Sequence, residues 1–155
     1  MLCLRYYPTP NRQALLLYQL FSLLGFWIFT APQSVNIEVV APDGGGEIYV
    51  AAYATPDAFD DEDETAAKSI LLDESVKQTQ VDLQLPAAGR YVLAGFQDLN
   101  GNGKLDKNFF GVPTEPYGFA KVPPTKWRAP AFDEIATEVG QSDFVRIELR
   151  HWDEH

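Results

Sequence analysis

Short segments of alternating apolar and polar residues after residue 34 are the feature that most constrains the fold. They include VNIEVV, GEIYVAAYA, VKQTQVDLQL, GRYVLAGF and DFVRIELR, each bounded by Gly, Pro or Asp. In the third of these, Val81, Leu83 and Leu85 alternate with polar residues, as in a strand with one buried face. We therefore predict an all-β domain over residues 35–150, a single antiparallel β-sandwich of about seven strands with Greek-key connections.

Two segments of this domain have ambiguous or opposing local signals. Residues 66–72 (AAKSILL) are compatible with a short helix or a strand. Residues 131–139 (AFDEIATEV) have a helix-compatible composition, but their position among strands leads us to predict a strand.

The acidic run in residues 54–68 is predicted to be a solvated connection, because like charges repel and favour solvent. The tail, residues 151–155, is expected to be frayed.

Residues 1–34 have the plan of an export signal that precedes the sandwich. Arg5 and Arg12 come before residues 14–31, which are almost entirely apolar. A positively charged start followed by an apolar run is typical of a secretory signal peptide. An uncleaved signal anchor is the alternative, because about 18–20 apolar residues can cross a bilayer. Both predict an exported protein, periplasmic or extracellular, and we expect contact with a membrane only through this N-terminal segment if it is uncleaved.

Charge and the placement of cysteine and histidine narrow the possible functions. All 22 acidic residues lie at or beyond Glu38, and 10 of the 12 basic residues follow residue 34, so the domain carries a net charge of −12. Such a surface repels phosphate backbones, so we expect no nucleic-acid partner. Cys3 precedes the apolar segment, and the only histidines are His151 and His155. Most routes to Ser-His or Cys-His catalysis are thereby removed, and we predict that the protein is not an enzyme.

The loop after the GRYVLAGF strand has the spacing of a calcium-binding loop. Oxygen ligands occur at its first, third, fifth, seventh and ninth positions, supplied by Asp98, Asn100, Asn102, the carbonyl of Lys104, and Asp106. Gly103 occupies the sixth position, where the sharp turn requires glycine. The twelfth position is Phe109 instead of the usual bidentate Glu, so Glu115 or water would have to complete the site. We predict calcium as a cofactor; the alternative is an Asx-rich turn without metal.

Residues 108–130, which follow this loop, are aromatic and interrupted by prolines. They contain Phe109, Phe110, Tyr117, Phe119 and Trp127 and have no regular period. A long irregular segment inside a small domain is usually functional or disordered, and this one is too aromatic for disorder. We predict that these five side chains contact an unknown protein or small-molecule partner. The alternative is that they belong to the core.

Several short blocks resemble an exported bacterial family known only as domain of unknown function 2141. They are DLNGNGKLD (residues 98–106), NFFGVP (108–113) and EPYGF (115–119), with Asp82-Leu83, Leu85-Pro86 and Gly89-x-Tyr91 before them and Pro130-x-Phe132 after them. The resemblance implies an export signal and a small β-sandwich of the immunoglobulin or prealbumin kind. It brings no established activity and no catalytic residues.

The chain departs from the family pattern after the EPYGF block. The family usually continues with Ser-Asn-Asn, whereas this chain has Ala120, Lys121 and Val122. A binding function of those polar side chains would therefore not carry over to this protein.

The sequence supports three functional hypotheses. The first is an exported, non-enzymatic module stabilised by calcium that contacts a partner through its aromatic segment. The second is a structural domain of an envelope assembly without metal. The third is a hydrolase that uses two carboxylates, with Glu115 as one of them, although nothing in the sequence marks its partner.

Overall fold

The computed structural model describes residues 32–140 and 143–155. The predicted export segment, residues 1–34, lies almost entirely outside the described residues. Within the described part, no helix is both long enough and apolar enough to cross a membrane.

Most of the described regular structure is β-strand. In chain order, the elements are β1 (Gln33–Val40), β2 (Glu47–Tyr53), α1 (Pro56–Asp60), β3 (Ala66–Leu71), β4 (Gln78–Leu85), β5 (Gly89–Asp98), β6 (Tyr117–Phe119), α2 (Phe132–Ile135), β7 (Thr137–Val139), β8 (Phe144–Glu148) and a 3-10 helix (Trp152–Glu154). One sheet has the order β4-β1-β8, and the other has the order β3-β2-β5-β6, with β7 paired to β5. The predicted all-β, sandwich-like fold is confirmed.

The core lies between the two sheets and follows the alternation in the sequence. Val35, Ile37 and Val39 of β1 are buried and face the core together with Leu83 of β4 and Leu93 of β5. Strands β1 and β4 bury every second residue because successive side chains in a strand point to opposite faces. The alternation that predicted the strands therefore also identified the apolar face of each.

The central strand β5 is buried on both faces, and its residues 91–96 form a nearly continuous apolar run. Leu93 belongs to the main core, whereas Val92 points the other way into a smaller cluster. That cluster contains Phe132 and Ile135 of α2. Residues 131–139, predicted as one strand, are thus a helical turn followed by β7. The spacing of Phe132 and Ile135 by three places both side chains on one helix face, where they cover Val92.

Three other predictions are refined by the structure. Residues 66–72 fitted a helix or a strand, and all but the last of them form the strand β3. The acidic connection contains α1, whose first turn is capped because Thr55 Oγ1 accepts a hydrogen bond from the N–H of Ala58. The strands are not all antiparallel, because β1 and β8 are parallel, with Asn36 opposite Phe144.

The C-terminal tail, which we expected to be frayed, contacts the domain. The 3-10 helix spans Trp152–Glu154, and the ring of His155 lies 4.4 Å from the ring of Tyr117. Tyr117 and Arg150 also exchange two backbone hydrogen bonds, each of 3.0 Å. These bonds join β6 to Arg150, which lies two residues after the end of β8, so the two sheets meet along this edge.

Candidate site at the Asp98 loop and the aromatic segment

Asp98, the last residue of β5, organises the loop that follows it. Its carboxylate is almost completely buried and accepts four backbone N–H groups. Oδ1 accepts from Gly101 at 2.7 Å and more weakly from Asn100 and Asn102, and Oδ2 accepts from Gly103 at 2.6 Å. An aspartate at the start of a turn commonly makes such bonds to the residues that follow it. Here they fold the loop back around one side chain.

The charge of Asp98 is favoured by these hydrogen bonds. Burial raises the pKa of the carboxyl, and the four backbone donors together lower it by a larger amount. The pKa of Asp98 therefore lies below the ordinary value of 3.8. Asp98 is therefore ionised at neutral pH. Because the pKa is lowered in the folded state, this group contributes stability that is present above its unfolded pKa and is lost as the pH falls.

Three more of the predicted ligands converge on the outer side of the loop. The side-chain amides of Asn100 and Asn102 each donate to the carboxylate of Asp106, the second over 3.0 Å. The amide oxygens accept backbone bonds instead, that of Asn102 from the N–H of Lys104 at 2.9 Å. The loop is thus closed by its own side chains.

This arrangement fits a cation only after rearrangement of the two amides. Asn100 and Asn102 present nitrogen atoms to Asp106, and both would have to rotate to present oxygen, the atom that calcium requires. Two carboxylates and two amides then remain as the side-chain donor set. Among the described residues, no group of three or more acidic, histidine or cysteine side chains is arranged to hold a metal ion.

Glu115 joins both ends of the loop to the segment that precedes β6. Its buried carboxylate accepts the N–H of Leu99 through Oε1 at 2.9 Å and the N–H of Asp106 through Oε2 at 3.1 Å. Glu115 therefore reaches back to the loop, as its sequence position suggested. Its oxygens bind the backbone, and this contact fixes the loop against the body of the sandwich.

Phe109 and Phe110 lie at the tip of a second, hydrogen-bonded turn. Asn108 Oδ1 accepts the N–H groups of Phe110 at 2.9 Å and Val112 at 3.1 Å, and the backbone of Asn108 bonds Val112 and Gly111. The two rings meet edge to face with centroids 5.5 Å apart. Phe109 is 96% exposed and Phe110 is 85% exposed. We refer to this pair as the aromatic tip.

The five predicted aromatic contact residues do not form one surface of touching rings. Tyr117 and Phe119 are half-buried and continue in a row of edge-to-face contacts to Phe59. Trp127 is exposed and packs edge to face on Trp152. In the described ranges, no ring contact connects the aromatic tip with either of these groups. The structure thus separates the five residues into three places.

Gln97 is a buried polar residue that is not among the predicted site residues. Its Nε2 donates to the carbonyl oxygens of Asp43 at 2.9 Å and Gly45 at 2.7 Å, which fixes the turn between β1 and β2. The Asp43 carboxylate in turn lies 2.9 Å from His151 Nε2. Gln97 and its carbonyl partners are more than 50 residues apart in the chain, so no local pattern predicts their hydrogen bonds. The presence of a polar residue within the apolar β5 run is the one indication of them in the sequence.

Fold and site together define an all-β, sandwich-like domain with an Asp-centred loop beside an exposed aromatic tip. Residues 35–146 match the sequence profile of a family described as an uncharacterized protein conserved in bacteria, DUF2141. Because the match covers most of the chain, the protein belongs to this family, and the resemblance seen in the sequence is confirmed. No curated protein and no solved structure matches the chain.

Proposed function

We propose that this protein is an exported, non-enzymatic binding module that inserts its aromatic tip into an apolar groove of a protein partner. The observation that carries the proposal is the nearly complete exposure of two adjacent phenylalanines, Phe109 and Phe110. Exposed apolar side chains that lie side by side mark interaction sites more often than isolated ones do. Phenylalanine is also among the residues enriched in protein interfaces.

The base of the tip is suited to presenting these rings. Asn108 holds the turn through its side chain, Glu115 ties the preceding loop to the sandwich, and Asp98 holds that loop from within. A segment that is ordered before binding loses less conformational entropy when it binds. The tip therefore has the rigid support that a binding surface needs.

The buried carboxylates accept backbone hydrogen bonds, which favours a binding function over a catalytic one. A general acid or base needs an oxygen that can reach a substrate proton. The carboxylate oxygens of Asp98 and Glu115 instead accept backbone N–H groups. Export is proposed from the charge and apolar run of residues 1–34.

A photoreactive phenylalanine analogue at position 109 tests the contact in the bacterium that produces the protein. We expect a discrete cross-linked product, because the side chain at 109 points into solvent at the tip. The same analogue at Phe144, an exposed position at the start of β8, is the matched control and should not give that product.

A second substitution distinguishes the proposed contact from chance proximity. With the analogue kept at 109, Phe110→Ser should reduce the product strongly. The Phe109→Ser/Phe110→Ser variant should retain its free energy of unfolding to within about 0.5 kcal/mol, because neither ring is part of the core. Equal products at positions 109 and 144, or a product insensitive to Phe110→Ser, would contradict the proposal.

We further propose that calcium strengthens the Asp98 loop. The support is the spacing of its oxygen-bearing side chains and their convergence on Asp106. Calcium that binds only the folded state raises the free energy of unfolding, by about 2.7 kcal/mol at a hundredfold excess over its dissociation constant. We expect a corresponding rise in Tm between chelator and millimolar calcium.

Asp106→Ala should abolish this rise while the domain stays folded, since Asp106 is not buried. Asp57→Ala removes an exposed acid from α1 and should leave the rise unchanged. Magnesium at the same concentration controls for general screening of the acidic surface. An identical response of both variants, or no response in the unsubstituted protein, would remove calcium from the proposed function.

A further inference from the structure

A cavity of about 160 Å³ lies where β6 meets β8 and the residues that follow β8. Its walls include Phe119, Val122, Arg146, Glu148, Arg150 and His155. We propose that this cavity binds a small organic carboxylate with a short apolar chain. The inference is independent of the aromatic tip and of the Asp98 loop, because it uses none of their residues.

Close approach of two backbones forms the floor of the cavity. Tyr117 and Arg150 exchange backbone hydrogen bonds, and Gly118 lies so near β8 that a Cβ atom there would be 2.3 Å from the carbonyl oxygen of Glu148. Alternate residues of a strand share one face, so Arg146 and Glu148 project on the same side of β8. The cavity thus has a fixed floor with charged side chains along one wall.

The charged wall offers hydrogen-bond donors suited to a carboxylate. Arg146 pairs with Glu38 at 3.1 Å, and Arg150 pairs with Glu148 at 2.8 Å. In the described part of the chain, each guanidinium makes its ion pair through a single nitrogen. Since a guanidinium carries five N–H donors, both retain donors in the planar arrangement that matches a carboxylate.

The charged side chains that line the cavity are less acidic on balance than the domain as a whole. The segment from residue 35 onward has 10 basic and 22 acidic residues, whereas the lining has Arg146, Arg150 and Glu148, a formal charge of +1. Arg150 and Lys126 are near enough to act on the imidazole of His155. An anion is therefore repelled less here than elsewhere on the surface, and the free N–H donors of the two arginines can bind it.

The opposite wall is apolar and selects for an organic anion. Phe119, Val122 and Pro123 line it, and Val122 is largely exposed. The volume of about 160 Å³ has room for a small organic molecule. A monocarboxylate with a chain of a few carbons fills this space, whereas the carboxylate of Glu148 disfavours a second negative charge on the ligand.

Titration of the purified protein with sodium butyrate, followed by amide chemical shifts, tests the proposal against sodium chloride at equal ionic strength. We expect saturable shifts in residues 118–123 and 146–150, with a dissociation constant on the order of millimolar, as befits a ligand of six heavy atoms. Arg150→Gln should weaken binding by about tenfold, because it removes the charge-assisted bonds.

Arg90→Gln is the matched control. Arg90 and Arg150 are almost equally exposed, 46% and 45%, and Arg90 is also ion-paired, with Asp133 at 3.0 Å and with Glu138 at 3.9 Å. It should leave butyrate binding unchanged. Val122→Asp places a negative charge at the apolar wall on an exposed position, so it should abolish binding without unfolding the domain.

Three results would overturn the proposal. The first is the absence of saturable shifts at about 50 mM butyrate, a concentration well above the expected dissociation constant. The second is an equal effect of Arg150→Gln and Arg90→Gln. The third is saturable binding of inorganic phosphate in place of butyrate, which would show that the apolar wall plays no part.

Discussion

Asp98→Ala is expected to lower the free energy of unfolding by about 3–4 kcal/mol. The carboxylate is buried and accepts the N–H groups of Asn100, Gly101, Asn102 and Gly103. Hydrogen bonds to a charged group contribute about 1.5–3 kcal/mol each, and donors left without a partner cost more when they are buried. The loop residues are exposed, so water can bind some of the N–H groups that lose their partner. The expected loss of stability is therefore well below the sum of four such hydrogen bonds.

Chemical denaturation in the presence of a chelator measures this effect without a contribution from calcium. Asp98→Asn should cost less, since one side-chain oxygen remains, but its amide nitrogen cannot accept the N–H of Gly103. Asp106→Ala, which removes only the exposed bonds to two amides, should cost about 1 kcal/mol or less. A cost below about 1 kcal/mol for Asp98→Ala would show that the loop does not depend on this carboxylate.

The same substitution should change the acid sensitivity of the domain. Because the pKa of Asp98 is lowered by folding, the stabilisation it supplies is complete above its unfolded pKa and disappears as the pH falls through the folded pKa. Asp98→Ala has no such group to titrate. Its stability should therefore decline less steeply than that of the unsubstituted protein below about pH 4.

The strands were predictable because their signal is local. In β4, Val81, Leu83 and Leu85 are buried while Asp82 and Gln84 are exposed, in the alternation that the sequence displays. The turn of the loop was predictable for the same reason, because the hydrogen bonds within residues 98–106 join residues no more than six apart. Such short spacings bring donors and acceptors together with little help from the rest of the fold.

Features set by distant contacts could not be predicted. Residues 131–135 turn into a helix because Phe132 and Ile135 cover Val92, about 40 residues away. The parallel pairing of β1 with β8 depends on the path of the whole chain between them. The pairing of β1 with β8 therefore depends on tertiary packing, whereas the helical turn agrees with the helix-compatible composition of residues 131–135, and the strand prediction was wrong because it relied on their position among strands.

The role of Glu115 illustrates the limit for the candidate site. Its position after the loop suggested a contact with the loop, and the structure contains that contact. Whether its oxygens face a cation or the N–H groups of Leu99 and Asp106 depends on how β6 is placed against β5. That placement arises from strand pairing, in which Phe96 lies opposite Tyr117.

Gly46→Ala is expected to destabilise the domain by about 3 kcal/mol or more, through two effects at one position. The backbone of Gly46 has φ +75°, a conformation that costs other residues about 1–2 kcal/mol. An added Cβ would also lie 2.5 Å from the carbonyl oxygen of Asp98 and 3.3 Å from a side-chain carbon of Leu99. Crowding in a packed region adds typically 1–3 kcal/mol, because backbone atoms must move apart.

Gly101→Ala separates these two effects, because Gly101 has φ +76° but no atom within 4 Å of the added Cβ. It should therefore cost about 1–2 kcal/mol, the backbone term alone. The difference in free energy of unfolding between the two variants measures how tightly the β1–β2 turn approaches the end of β5. Gly46 is also fixed from the other side, because its carbonyl oxygen accepts the N–H of Leu72 at 2.9 Å. Equal costs for the two variants would mean that the turn can move away from Asp98 freely, and that the Asp98 loop is not held against it.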